Sequence, residues 1–253
     1  MVTGVDEGLG QRLLSGPLNA AVDPRLPAIG LSRFSASGAL WTYFHSSPRQ
    51  YSGSLFDSLG GGGDRPEVEN QITREDLLAV GAVNATMPTS VATQLLSEPV
   101  SGRLAGLLRQ LPTNIDLWDA NDETLAVAAQ AWEEIRSLHE TGAQVNASVK
   151  ATVDGWVAGS KLLARKRPRL IPLYDEKVRS VVDLAEGASW WFSLRHALRV
   201  DGEDNEVRDR ICSAMSEAGV GYVSVLRGLD VILWSYASSG DRTGPTVGRT
   251  YPR

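Results

Sequence analysis

Apolar residues recur along this chain with the period of an α-helix. Leu125, Ala129, Trp132, Ile135 and Leu138 fall on one stripe, and a stripe of that spacing is the buried face of a helix. Asn121 stands where a cap accepts an amide hydrogen bond, and Asp122 and Glu123 occupy a first turn whose dipole favours anions. The spacing therefore predicts a helix over 122–140. Leu104, Leu107, Leu108 and Leu111 predict another within 100–111. Thr73-Arg74-Glu75-Asp76 has the form of a capping box, in which the Thr hydroxyl accepts from the third helical amide and the Asp reaches back. The apolar run behind it, 77–83, stops at Met87-Pro88, and Pro88 suits the first position of a next helix through Leu95 and Leu96. Val225, Leu226, Leu229, Ile232, Leu233 and Tyr236 describe a helix apolar on most sides, hence a central one. No sustained two-residue alternation occurs. The expected fold is all-α, multi-helical and globular.

Breaks in the pattern set the organisation. Residues 1–30 carry Gly, Pro and Asp without periodicity and read as a loosely ordered arm. Gly60-Gly61-Gly62-Gly63-Asp64-Arg65-Pro66 reads as a flexible loop, and 238–253 as a flexible tail. Residues 31–237 form one helical domain, in one body or two lobes.

Composition narrows the chemistry. A chain of 253 residues, 42% apolar and 22% charged, buries a full core. Its single cysteine, Cys212, excludes an internal disulfide and any four-cysteine metal site. His45, His139 and His196 are too far apart for a ligand motif. No metal or cofactor is expected. The N-terminus lacks a basic, apolar leader and no stretch reaches the ~18 apolar residues of a membrane span, which points to a cytoplasmic protein with no membrane contact. Gly155-Trp156-Val157-Ala158-Gly159-Ser160-Lys161 is not a phosphate-binding loop: it has three residues between its glycines instead of four, and its hydroxyl precedes the lysine. Arg227 and Asp230, three apart on the C-terminal helix, read first as a neutralising ion pair, with a functional carboxylate as the alternative.

The net charge of −5 disfavours a broadly nucleic-acid-binding surface, yet one segment runs against it. Between Lys161 and Arg179 stand Lys161, Arg165, Lys166, Arg167, Arg169, Lys177 and Arg179 against Asp175 and Glu176, a local +5. Such a patch can neutralise phosphates. Gly155 marks a turn, 157–166 a helix, and Pro168 its stop; Pro172 biases 170–174 towards an extended path. Asp175 then caps a further helix bearing Val178, Val181 and Val182.

That order of turn, helix, extended segment, Asp and helix resembles the helix-hairpin-helix core of DNA base-excision glycosylases. In that family a GxG hairpin presents backbone amides to a DNA phosphate, and a Pro-Val-Asp segment about twenty residues on ends in the catalytic carboxylate. Here Gly155 and Asp175 are twenty apart, and Pro172-Leu173-Tyr174-Asp175 stands for the second element. The first hairpin glycine is replaced by Val153 and the lyase lysine by Val157, with Lys161 one helical turn further on. Over most of its length the chain also resembles an uncharacterised bacterial family sharing KLLARKRPxLIPxYD and SVLRxLDVxxW, which implies no activity.

Two expectations follow. In one, the protein is a DNA-binding, glycosylase-like enzyme without lyase activity: Asp175 is the catalytic carboxylate beside a flipped nucleotide, the turn at Gly155 grips a phosphate, and Lys161, Arg165, Lys166, Arg167 and Arg169 hold the DNA backbone. In the other, the same scaffold is a non-enzymatic binding module, Asp175 is purely a helix cap, and Trp156, Trp190 and Trp191 are core residues instead of base-stacking platforms.

Overall fold

Ten consecutive residues, Ala158 to Arg167, are buried, and a helix with no exposed side needs other elements all around it. The computed structural model, which describes residues 4–19, 34–85, 87–145, 155–199 and 205–239, supplies them. In chain order the helices are α1 (Leu9–Ser15), α2 (Ala36–His45), α3 (Arg74–Ala82), α4 (Thr89–Leu95), α5 (Val100–Leu108), α6 (Asp122–Val145), α7 (Gly155–Lys166), α8 (Glu176–Val182), α9 (Trp190–Leu198), α10 (Glu206–Glu217) and α11 (Val225–Ser239). Short 3₁₀ turns lie at Ser52–Leu55, Leu59–Gly61 and Leu117–Asp119. Among the described residues there is no strand, only an isolated bridge between Gly4 and Ala188. The fold is all-α and multi-helical.

Two helices are central. α7 packs between α6 and α3, and α11, buried from Leu226 to Leu233, packs against α8, α2 and α10. Close approach depends on two glycines. A Cβ on Gly159 would meet the Trp132 ring of α6 at 3.3 Å, and one on Gly228 would press on the Met215 sulfur of α10 at 2.5 Å. A single apolar core runs from Leu9 through Leu125, Leu162 and Ile211 to Leu233. Each large side chain buried there contributes about 1.5–3 kcal/mol.

The local signals explain where the helices start. Thr73 and Asp76 form the reciprocal capping box at α3, with Asp76 N donating to Thr73 Oγ1 at 3.2 Å and Thr73 N to Asp76 Oδ2 at 2.9 Å. Asn121 caps α6 by accepting from Thr124 N at 2.8 Å, and Asp175 caps α8. Pro88 sits one residue before α4, α6 continues to Val145, and Gly155 is the first residue of α7 instead of a turn before it.

Two segments differ from their expected looseness. Within the expected arm, residues 4–19 are docked: Leu9, Leu13 and Leu18 are core residues, and the Asp6 backbone N–H donates to Ser193 Oγ at 2.9 Å. Arg12 pairs with Asp6 at 2.6 Å and donates to Val182 O, so α1 is tied to the α8–α9 region. The remainder of the arm, 20–30, and the tail from 240 lie outside the described residues. The glycine run is an ordered turn: Gly60, Gly61 and Gly62 have φ of 62°, 85° and 96°, a region open to glycine. Gly63 abuts the Arg165 backbone, where a Cβ would come within 2.6 Å of its carbonyl oxygen.

Candidate functional site

The basic segment turns inward. Lys161, Arg165, Lys166 and Arg167 are all buried, the last two at 0% and 1% exposure. A buried cation persists only where carboxylates or carbonyl dipoles replace its water, and each is so provided. Lys166 Nζ donates to Asp76 Oδ2 at 3.0 Å and to Val68 O at 2.8 Å. Arg165 Nε reaches Asp76 Oδ1 at 3.3 Å, and its terminal nitrogens donate to the carbonyls of Phe56 and Leu59. Among the described residues, Arg167 donates to no carboxylate. It donates to Leu111 O at 2.6 Å, to Glu69 O, Lys166 O and Asn70 Oδ1 each at 2.8 Å, and to Leu108 O. It thereby binds carbonyls at and just beyond the C-terminal end of α5, the region where a helix leaves its last carbonyls without intrahelical donors. Burial pushes the Lys166 ammonium below the ordinary lysine range, against the pull of Asp76.

This placement corrects the expectation that the cluster faces phosphates: Arg165, Lys166 and Arg167 hold the core together. Arg169 alone of the five is on the surface, 48% exposed, and its guanidinium is paired with Asp116. Gly155 opens α7, while Val153, the position of the first hairpin glycine, lies outside the described residues. Trp190 and Trp191 are core residues; Trp190 stacks on Tyr174 at 5.3 Å and donates Nε1–H to Leu173 O at 3.1 Å.

Those last contacts have a consequence for Asp175. They fix the 170–174 segment, which runs back along α7, and deliver Asp175 to the start of α8. Its carboxylate is divided. Oδ1 accepts from the backbone amides of Lys177 and Val178 at 3.0 and 3.1 Å. Oδ2 faces Lys161 Nζ at 3.4 Å, and Lys161 also donates to Val83 O at 2.7 Å, just past the end of α3. The structure thus brings Lys161 and Asp175 together across a helix and a loop.

They meet in a pocket of about 210 Å³. Asp230 and Arg227 of α11 also line it, as do Tyr43, Tyr51 and Trp234, with Gln50, Ser52 and Asn84. The aromatic side is ordered: Tyr43 and Tyr51 stack at 5.1 Å, and Tyr51 meets Trp234 edge-on at 5.5 Å. Lys177 Nζ lies over the Trp234 ring at 4.2 Å, a cation–π contact. Arg227 is the hub of the polar side. It donates to Asp57 Oδ2 at 3.0 Å, Tyr43 Oη at 3.1 Å and Gly53 O at 2.7 Å, and it is ion-paired with Asp230. Burial pushes the Tyr43 phenol up. A side chain on Gly53 would collide with the Tyr43 hydroxyl.

The expected Arg227–Asp230 ion pair is present. Asp230 and Trp234 stand four apart, on one helical face, and that spacing was the signal that both look into the same space. Tyr43, Tyr51 and Asn84 had no comparable signal, because they arrive from segments more than seventy residues away.

Fold and site together define a multi-helical protein with a carboxylate-bearing pocket set between its two buried helices. The chain belongs to the family of unknown function DUF6308, which matches residues 36–237. That span contains every pocket residue. No curated protein and no solved structure matches the chain. Among the described residues no helix is long and apolar enough to cross a membrane.

Proposed function

We propose that the pocket receives a nucleobase with its attached sugar and that Asp175 acts on the bond between them, in glycosylase-like fashion without lyase chemistry. The observation that carries this is the divided carboxylate: Oδ1 is held by the α8 amides, which fixes the group, and Oδ2 is turned to the pocket beside Lys161. A carboxylate so placed can accept a proton from water or stabilise positive charge developing on a sugar. Tyr51 and Trp234, set edge-on to each other at 5.5 Å, supply aromatic walls against which a base can pack. A volume of 210 Å³ is below the roughly 300–1,000 Å³ of most ligand pockets and suits one nucleoside-sized group.

The resemblance to helix-hairpin-helix glycosylases supports a DNA substrate. The burial of Arg165, Lys166 and Arg167 takes away most of the expected grip on a strand. A nucleotide flipped from DNA and a free nucleoside present the same chemistry to the pocket. One observation favours the non-enzymatic reading: the amide bonds to Oδ1 make Asp175 a complete helix cap by themselves.

Base release decides among these. The wild type is incubated with free ribo- and deoxyribonucleosides, and with single-stranded and duplex DNA containing uracil, hypoxanthine, alkylated and oxidised bases. Any positive is repeated with Asp175→Asn. Release that drops by roughly 10²–10⁴ in the variant supports the reading, and the substrate arm that responds identifies the source of the nucleoside. Silence across the panel, or release unaffected by the substitution, overturns it.

A further inference from the structure

Asp230 is a second carboxyl group in the same pocket, and the cap-and-Lys161 arrangement does not use it. It is 8% exposed. Its Oδ2 is ion-paired with Arg227, and the residue lines the cavity together with Asp175 and Lys161. Arg227 does not belong to Asp230 alone, since the same guanidinium serves Asp57, Tyr43 and the Gly53 carbonyl. A buried carboxyl that shares its cation with other acceptors is only partly compensated for the water it has lost, and that favours its protonated form. The geometry points to Asp230 as the general acid of the pocket, the group that donates a proton to the leaving base while Asp175 acts on the sugar side. This rests on the glycosidic reading above and assigns it a second catalytic residue.

The surroundings of Asp230 fit a proton held near neutrality. The groups facing it are Arg227 on its own helix, Tyr43 on α2 with Asp57 beyond it, Lys161 on α7 and Asp175 at the start of α8. Burial raises its carboxyl, Arg227 opposes, Asp175 reinforces and Lys161 opposes, with a net position of about 6. A general acid works best with a pKa near the operating pH. Two carboxyls in unlike environments are the usual division of labour between acid and base.

The step balances. Asp230 gives its proton to a ring nitrogen of the base as the bond from that base to the sugar breaks and the bonding pair goes to the base. A water oxygen bonds to the anomeric carbon, and the water's proton goes to Asp175. Exchange with solvent then reprotonates Asp230 and deprotonates Asp175. One water is consumed, and one base and one sugar hydroxyl are produced.

The test compares leaving groups. Asp230→Asn keeps an acceptor for Arg227 but has no acidic proton. With the nucleoside or DNA substrate found active, its base release is expected to fall by roughly 10²–10⁴. With 4-nitrophenyl β-ribofuranoside, whose phenolate departs without protonation, it is expected to stay close to wild type. Wild-type base release should decline as pH rises through about 6, and that limb should vanish in the variant. Asp175→Asn should lose both substrates. Equal losses on both substrates in a folded Asp230→Asn protein overturn the role of Asp230 and leave the glycosidic reading standing; wild-type inactivity on every substrate overturns both. Carboxyl-carbon NMR of the wild type gives a check independent of turnover: an Asp230 midpoint near 4 instead of near 6 overturns the role, whether or not the variant folds.

Discussion

Lys166 donates to Asp76 at 3.0 Å inside the core, across ninety residues of chain. The same carboxylate also accepts from Arg165 and from the amide of Thr73. One side chain thus starts α3 and neutralises two cations of α7. Removing one partner of a buried ion pair costs about 3–5 kcal/mol, because the charge left behind has no water. Asp76→Asn keeps part of the cap but leaves Arg165 and Lys166 without their anion, and a loss of that order is expected. Urea denaturation followed by circular dichroism measures it; a change below about 1 kcal/mol, the scale of a lost cap, would show that Asp76 does no more than cap α3.

Arg167 gives a sharper prediction. Its planar fork reaches carbonyls in several directions, and lysine has neither the number of donors nor their geometry. Arg167→Lys should therefore destabilise by on the order of 3 kcal/mol despite the conserved charge, since buried carbonyls lose their donors. Charge reversal at Arg165, Lys166 and Arg167 together should abolish the cooperative melt. If the triple variant folds and only its salt-dependent binding to DNA changes, these side chains face solvent phosphates after all.

Asp175 separates stability from chemistry. Asn retains the oxygen that accepts from Lys177 and Val178, so Asp175→Asn should cost little stability, whereas Asp175→Ala should cost about 1 kcal/mol. Thermal melts of both variants check this. Equal and large losses would mean that the Lys161 contact, not the cap, dominates the role of Asp175 in the fold.

The position of Asp230 makes a statement about pH. Its carboxyl lies at about 6 in the folded protein against an ordinary 3.8. The folded state therefore holds its proton more tightly than the unfolded state does. The resulting stabilisation is fully present below about 4 and is lost as pH rises through about 6. Asp6 acts in the opposite sense: its hydrogen bond from Arg12 holds it below the ordinary range, so its contribution is lost only in stronger acid. Asp230→Asn should flatten the stability profile between about pH 4 and 6 and leave the acid limb unchanged. A profile identical to wild type in that window would place Asp230 at an ordinary carboxylate value.

What the sequence made legible was local. The caps at Thr73, Asn121 and Asp175 need only an acceptor two or three residues before an amide, and a one-dimensional string contains that. The centrality of α11 follows from apolar residues on nearly all its faces. The fate of the basic segment was not legible, because charge can be counted along the chain but its neutralisation cannot. Lys166 and Arg167 are inside because Asp76 and the end of α5 come to them, and neither lies near 161–169 in sequence. The glycine run misled for a related reason. Glycine marks a flexible loop and a tight positive-φ turn equally well, and only the packing of Arg165 against Gly63 distinguishes them. Lys161 and Asp175 were both identified, but the aromatic side of their pocket comes from Tyr43, Tyr51 and Trp234, brought from opposite ends of the chain.

α3 touches α7 at both of its ends. Asp76 near its start binds Lys166, and Val83 just past its end binds Lys161, so the two helices run antiparallel, the contacts standing seven residues apart on one and five on the other. α3 is in effect a ruler. With 1.5 Å of rise and about 100° of rotation per residue, inserting or deleting one residue between Asp76 and Val83 leaves at most one of the two contacts in register. If the start is kept, Val83 swings away from Lys161 and Asn84 leaves the pocket rim; if the end is kept, the buried cations lose their anion. The length of this nine-residue helix is therefore set jointly by the core and by the pocket, and neither can be altered in isolation from the other.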